Sequence, residues 1–357
     1  MIFIIALFTA LLLIGGVSIA LLPKGSETKK RSFSITVVAK NEENRIEALL
    51  NSLLLLDYPK ELYEIILVDD CSTDNTLQLF KEFAEKFTDT KIISIDEKEK
   101  KLAGKKEGLQ RALDIAKNEI FLLTDADCTV QHFWLDSVSK YWDEDTVMLV
   151  GYAPEEFDVL SMVELSLIDK VNFAFRRFCQ IATSGLFAAT IGLGIPFSCY
   201  GRNLAISKLA LLAVGGYKSI GTDKAGDDKQ ALNLIKKTRG KIRYSPVKNV
   251  ISFPELVNFR EQQKRKYGKV KQSPPLFFLA TIFLLSFLIV LPVWLIATTR
   301  FIPVITLYFA ALIAWLFNLA KHQERFHPLD PIFVIVYPYF MLYYTLLGSS
   351  GKWTWKE

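Results

Sequence analysis

FSITVV (33–38), YEIILV (63–68), KIISI (91–95) and EIFLL (119–123) are short apolar runs rich in β-branched residues, each followed by a polar break. Runs of that length and composition read as buried strands. The segments between them, Glu42 to Leu56, Asn75 to Phe87 and Gly104 to Ala116, read as helices. Strand and helix alternating at this spacing predict an α/β domain with a parallel, doubly wound sheet. Ligands of such sheets bind beyond the carboxyl ends of the strands. The residues richest in chemistry fall there: Ala39 to Glu42, Asp69 to Asp74 and Asp125 to Cys128. After Val150 the alternation is less regular.

Outward from this core the chain turns apolar. Of the 357 residues 51% are hydrophobic, and nearly all the charge lies between Lys24 and Lys271. Ile2 to Leu22 is an unbroken apolar run about as long as a bilayer-crossing helix. Nothing basic precedes it, while Lys24, Lys29, Lys30 and Arg31 follow, which predicts a retained anchor with its carboxyl end in the cytoplasm. Leu276 to Ala297, Phe301 to Leu319 and Pro331 to Leu347 are three further candidate spans with short links. Phe178 to Tyr200 is also apolar but holds Gly185, Gly192, Gly194 and Pro196, and it reads as membrane-surface or buried structure. The expected organisation is an anchor (1–23), a catalytic domain (32–258), a basic segment (259–272) and three spans (275–348). The net charge of +5 is modest and flanks apolar segments, so it fits the positive-inside bias rather than nucleic-acid binding. Cys71, Cys128, Cys179 and Cys199 form no C-x-x-C pair and have no nearby His, which argues against zinc and for a reducing compartment.

Three acidic clusters carry the chemistry. Asp69-Asp70 follows a strand and could accept the imide N–H of uracil, while Ser72 or Asp74 could equally cap the next helix. Asp125-Ala126-Asp127 ends the fourth strand, where one carboxylate can reach a ribose and the other a hard cation, Mg²⁺ or Mn²⁺, shared with phosphate oxygens. Gly226-Asp227-Asp228 opens a helix, and Asp228 is a candidate general base for an acceptor hydroxyl. Helix capping is the competing reading there. Gln262-Gln263-Lys264-Arg265-Lys266 precedes the first carboxyl-terminal span, and Arg265 could neutralise a departing diphosphate.

The order Asn41-Glu42, Asp69-Asp70, Gly104-Lys105, Asp125-x-Asp127, Asp227-Asp228 and Gln262-x-x-Arg265 resembles the family 2 inverting glycosyltransferases with a GT-A fold. Within them it is most similar to the membrane-bound branch that includes cellulose, hyaluronan and ceramide glucosyl synthases. The resemblance implies that Ala39 and Asp70 hold uracil, with Asn41, Glu42 and Lys105 also at the nucleotide-sugar site. It further implies that Asp125 lies near the ribose, Asp127 binds the metal and Asp228 is the catalytic base. Gln262 and Arg265 match the Q-x-x-R-W motif, but Lys266 stands where that motif has Trp, and Gly226-Asp227-Asp228 replaces Thr-Glu-Asp.

The resulting expectation is a membrane-bound enzyme of the bacterial inner membrane with its catalytic domain in the cytoplasm. It would move a sugar from a nucleotide-sugar, with UDP as the expected nucleotide, to a lipid or glycan acceptor. A polyprenyl-phosphate sugar synthase and an inactive subunit of a polysaccharide assembly complex are the alternatives. No sequence feature specifies an oligomer.

Overall fold

The computed structural model describes residues 14–22, 25, 29–156, 166–220, 226–253 and 301–349, with scattered positions between 263 and 297. The four apolar runs form strands β1 (Phe33–Ala39), β2 (Tyr63–Asp70), β3 (Thr90–Ile95) and β4 (Ile120–Thr124). Between them lie helices α1 (Ile46–Leu54), α2 (Thr76–Lys86) and α3 (Lys106–Ile115). Then follow β5 (Cys128–Val130), α4 (Trp134–Tyr141), β6 (Thr146–Gly151), α5 (Leu167–Gly192), β7 (Leu204–Ser207) and α6 (Lys208–Ala213). The remaining elements are α7 (Asp227–Ile235), β8 (Lys241–Ser245), β9 (Val250–Ser252), α8 (Phe301–His322) and α9 (Asp330–Ser349).

Seven strands form one sheet in the order β3-β2-β1-β4-β7-β6-β8. The pairs β2–β3, β1–β2, β1–β4 and β6–β8 are parallel. The sheet is the mainly parallel one expected, with one exception. Strand β7 runs antiparallel to both β4 and β6, so the sheet is mainly parallel. At four residues β7 is too short to register as a periodic pattern. Strand β2 is buried at every position, as expected of a strand covered on both faces. A second, two-stranded sheet pairs β5 with β9.

The contacts divide the chain into two units, and the break runs through α5. The larger unit carries β1 to β9. Its core packs Phe33, Ile35 and Val37 of β1 with Leu49 and Leu53 of α1 and with Trp134 and Trp142. Helix α1 starts at Ile46, later than the expected Glu42, since Arg45 has φ −131 outside the helical range, and the N–H groups of Glu42 and Glu43 donate to Thr76 and Asp74.

Asn203, just before β7, ties the late strands together. Its carboxamide donates to the Tyr152 carbonyl at 2.9 Å and to Asn249 at 2.8 Å, and accepts from the Trp134 indole at 3.1 Å. Asn249 in turn donates to Ser137 at 3.0 Å. A buried network satisfied at each of these contacts rigidifies its surroundings. Gly151 makes room for it, since a Cβ there would lie 2.2 Å from the Asn203 side-chain nitrogen. Gly151→Ala should therefore displace the carboxamide and lower stability by about 3 kcal/mol. A fall of the thermal midpoint checks this, and an unchanged midpoint would mean that the network is not rigid.

In the smaller unit the start of α5 packs with α8 and α9. The Phe178 ring lies 4.1 Å from Trp315 and 5.7 Å from Phe333, while Phe175 meets Phe333 and Phe340 edge-on. Asn318 donates to the Ile181 carbonyl at 2.9 Å. Beside the α8–α9 turn, Asp330 accepts from Trp315 at 3.1 Å and from the His327 backbone at 3.0 Å. Ile302–His322 and Asp330–Gly348 are long and apolar enough to cross a membrane. Ile302, Ile305, Phe309, Ile335 and Val336 are exposed large apolar residues on these helices. The segment from Phe178 is the later part of helix α5, which begins at Leu167 and packs Phe178 and Ile181 internally. Most of the anchor run Ile2 to Leu22 and of the span Leu276 to Ala297 lies outside the described residues, although 14–20 is helical.

Candidate active site

Two groups of residues gather at the carboxyl edge of the parallel strands. The first is a clasp between the segments that follow β1 and β2, where Ala39, the last residue of β1, is the register partner of Asp69. Asn41 adopts φ +54 and receives the Thr73 N–H on its carboxamide oxygen at 2.8 Å, while its own N–H donates to Ser72 at 3.0 Å. Asn is among the few non-glycine residues that tolerate this conformation. Glu43 accepts from the backbone and side chain of Asn75, both at 2.9 Å, and Glu42 pairs with Arg45. The alternative of helix capping holds for Asp74, whose carboxylate accepts from the Thr76 N–H at 3.0 Å and from its hydroxyl. Asp69 and Asp70 stay out of that role. Asp69 accepts from the Ser72 N–H and the Ser94 hydroxyl, and Asp70 is gripped by Lys100 at 2.7 and 2.9 Å. The Cys71 thiol is pushed up to about 11 by burial, then by Glu97 and Asp70. It is not an activated nucleophile.

The second group surrounds Lys105. Gly108 lets α3 approach β1 and β2 closely, since a Cβ there would lie 2.9 Å from Val38 and 3.0 Å from Val68. That approach places Lys105, at the start of α3, within 2.6 Å of Asp125 beyond the end of β4. Burial works against the ammonium, but Asp125, then Asp227 and Asp228, outweigh it and hold Lys105 above the ordinary lysine range. Residues far apart in the chain thus converge on one cation. Asp227 and Asp228 occupy the first turn of α7, where the helix dipole favours carboxylates. Both are buried, and Asp228 accepts from the Lys229 N–H at 2.7 Å. Gly201 lies against Asp228, with 3.7 Å between their Cβ positions were Gly201 an alanine.

Asp127 follows in the same turn and is half-buried. Its hydrogen-bond donor among the described residues is the Cys128 thiol at 3.5 Å, a weak one. Burial, and then Asp125, raise its carboxyl above the usual range, with Arg202 and Arg45 pulling the other way. Its backbone carbonyl accepts from Phe253 at 2.8 Å, which pins the turn to the end of β9. Among the described residues no three His, Cys, Asp or Glu side chains converge as a closed metal cage. Two carboxylates in one turn instead suit a hard cation that takes its other ligands from phosphate.

Gln262 and Arg265, with Lys266, lie outside the described residues. The structure adds two cations that sequence reasoning missed, Lys100 on Asp70 and Arg202 near Asp127. Arg202 lies in a Gly-Arg-Asn turn before β7, and overlooking that short strand hid the turn as a strand end. All four cysteines carry free thiols.

The mainly parallel α/β sheet, with Asp125 after β4 and Asp227 and Asp228 in the first turn of α7 acting on the half-buried Lys105, is a fold of GT-A type. Residues 34–178 match the family Glycosyl transferase family 2, so this segment is similar to the domain of those glycosyltransferases. The matched segment includes Asp70, Lys105, Asp125 and Asp127 and stops short of Asp228. Among curated relatives, poly(ribitol-phosphate) beta-N-acetylglucosaminyltransferase TarS of Staphylococcus aureus is 34% identical over 31% of this chain and 19% of its own length. The beta-monoglucosyldiacylglycerol synthase of Nostoc is 36% identical over 27% of this chain and 20% of its own. The chain thus spans about a fifth of the first relatives it matches. A longer match, 27% identity over 74% of this chain and 61% of the relative, is the probable glycosyltransferase YdaM of Bacillus subtilis. The mannosyltransferase PcManGT of Pyrobaculum calidifontis, solved with GDP-Man and Mn²⁺, shares the fold with a TM-score of 0.60 at 17% identity, over 96% of this chain and 94% of its own.

Proposed function

We propose that this chain transfers a sugar from a nucleotide-sugar, with inversion, to a lipid or glycan acceptor at the cytoplasmic face of a bacterial inner membrane. The observation that carries the reading is the convergence of Asp125, Asp227 and Asp228 on Lys105, with Asp127 in the same turn as Asp125. In this reading Ala39 and Asp70 border the base, Asn41 and Glu42 hold that pocket's walls together, and Asp125 reaches the ribose. Mg²⁺ or Mn²⁺ on Asp127, when bound, supplies positive charge to the diphosphate. Asp228 accepts the proton of the acceptor hydroxyl as its oxygen bonds to the anomeric carbon. The bond from that carbon to the diphosphate breaks in the same displacement, and neutralising the charge of the departing nucleoside diphosphate is the role assigned to Arg265, with Gln262 assigned to the same donor.

Lys266 and the apolar helices support one class of acceptor. Lys266 replaces an aromatic face on which a sugar ring could stack with a flexible ammonium, which suits an anionic or hydroxyl-bearing head group. The exposed apolar residues of α8 and α9 suit a chain held at a bilayer. Relatives from three organisms are named for glucosyldiacylglycerol synthesis, which supports a glycolipid product.

The test is to incubate the detergent-purified chain with UDP- and GDP-sugars, Mn²⁺ and a panel of membrane lipids, reading nucleotide release and product mass. Release of one nucleoside diphosphate with a lipid carrying one or a few sugars is the expected result. No release from any donor would point to an inactive subunit, and a long polymer would overturn the lipid reading.

A further inference from the structure

The segment 196–201 is strapped along α7. Lys236, just past the end of that helix, donates to the Pro196 carbonyl at 2.9 Å. The buried Cys199 thiol donates to the Asp228 carbonyl at 3.4 Å. Two residues beyond Gly201, Asn203 is fixed by its buried hydrogen bonds with Tyr152, Asn249 and Trp134. The backbone at Gly201 is therefore held from both sides.

Two features of a fold commonly require a glycine, and neither applies to Gly201. It is not among the described glycines with a left-handed backbone, as Gly104 and Gly226 are at φ +63 and +87. Nor does packing forbid a side chain. A Cβ at Gly151 would lie 2.2 Å from Asn203, and one at Gly108 2.9 Å from Val38, both closer than packed atoms allow. A Cβ at Gly201 would meet one heavy atom of the described residues within 4 Å, the Asp228 Cβ at 3.7 Å, an ordinary contact distance. The missing side chain thus leaves room on the flank of Asp228, beside a backbone held in place.

We propose that Gly201 is a specificity-determining residue: the space it leaves beside Asp228 takes the hydroxyl-bearing carbon of the acceptor. Room next to a carboxylate suits a neutral alcohol carbon, as in a glycerol or sugar head group, and repels an anionic phosphate. The inference rests on the base reading given under Proposed function. It adds where the acceptor carbon lies as its proton passes to Asp228 and the nucleoside diphosphate leaves.

The experiment follows transfer by the detergent-purified full chain, with Mn²⁺ and UDP- or GDP-sugars, to a diacylglycerol and to an alkyl glucoside. Gly201→Ala should raise the acceptor KM roughly tenfold, the effect of one added methyl group in a fitted pocket, and Gly201→Val should raise it further. The donor KM should stay within about twofold of wild type, because the space lies on the acceptor side of Asp228. Hydrolysis of the donor, in which water is the acceptor, should fall less than transfer to the lipid. A merely structural role would instead raise both KM values together and lower the thermal midpoint. If Gly201→Val does not fold, Gly201→Ala decides alone, and an acceptor KM within about twofold of wild type sinks the idea. A wild type that binds nucleotide but transfers to neither acceptor would overturn the hydroxyl-acceptor reading and this inference together. Transfer that Asp228→Asn abolishes, with an acceptor KM that neither Gly201 variant alters, would overturn this inference and leave the base reading standing.

Discussion

Asp127→Ala is expected to abolish sugar transfer, lowering turnover by at least about 10³-fold, as the loss of several kcal/mol of charge stabilisation requires. The side chain is half-buried in the turn after β4, and its hydrogen-bond donor among the described residues is a thiol at 3.5 Å. Removing it orphans little else, since the turn is held by backbone, with Phe253 donating to the Asp127 carbonyl at 2.8 Å. The thermal midpoint should therefore stay near that of wild type. Chelation of divalent ions should silence the intact enzyme equally, and added Mn²⁺ should restore it. A variant as dead as predicted but also unfolded would implicate packing instead. Full transfer in excess chelator would remove the metal from the mechanism and leave Asp127 as a neighbour of Asp125 only.

The early half of the fold was legible because its strands are covered on both faces. A strand such as β2, buried at all eight positions, leaves an apolar run that pattern alone can find. Strand β7 has four residues and runs antiparallel, so neither its length nor the preceding alternation announced it. Helix α5 begins at Leu167, where Asp169, Lys170, Arg176 and Arg177 dilute the apolar signal on which the start at Phe178 rested. The acidic residues of the site were legible for a related reason. Each stands at a strand end or in a helix's first turn, positions that local pattern predicts. Their cations were harder to see. Lys100 meets Asp70 across 30 residues, and Arg202 meets Glu155 across 47. Such pairs are set by strand order, which a short sequence window does not carry. Lys105 was legible as a motif residue, but its role as the meeting point of Asp125, Asp227 and Asp228 required the sheet to be folded.

Asp228→Asn isolates proton transfer from the rest of the site. Asparagine keeps the volume of Asp228 and an acceptor oxygen for the Lys229 N–H, now at 2.7 Å, so the first turn of α7 should be preserved. What it loses is the capacity to take a proton. Turnover with a hydroxyl acceptor should fall by roughly 10²–10⁴-fold, the contribution of a positioned general base. Binding of UDP or GDP, measured by calorimetry, should change little, because the residues assigned to base and ribose are Ala39, Asp70 and Asp125. Asp227→Asn serves as the control. It also removes one carboxylate acting on Lys105, so a purely electrostatic effect on that cation would appear in both variants alike. A parallel loss of donor binding and turnover in Asp228→Asn would make Asp228 a partner of Lys105 rather than a base. The acceptor offers a second discriminator. A phosphate acceptor arrives already ionised and needs no proton removed, so transfer to a polyprenyl phosphate should survive the substitution while transfer to a hydroxyl-bearing lipid does not. If Asp228→Asn leaves every acceptor fully active, the displacement runs without a base from α7.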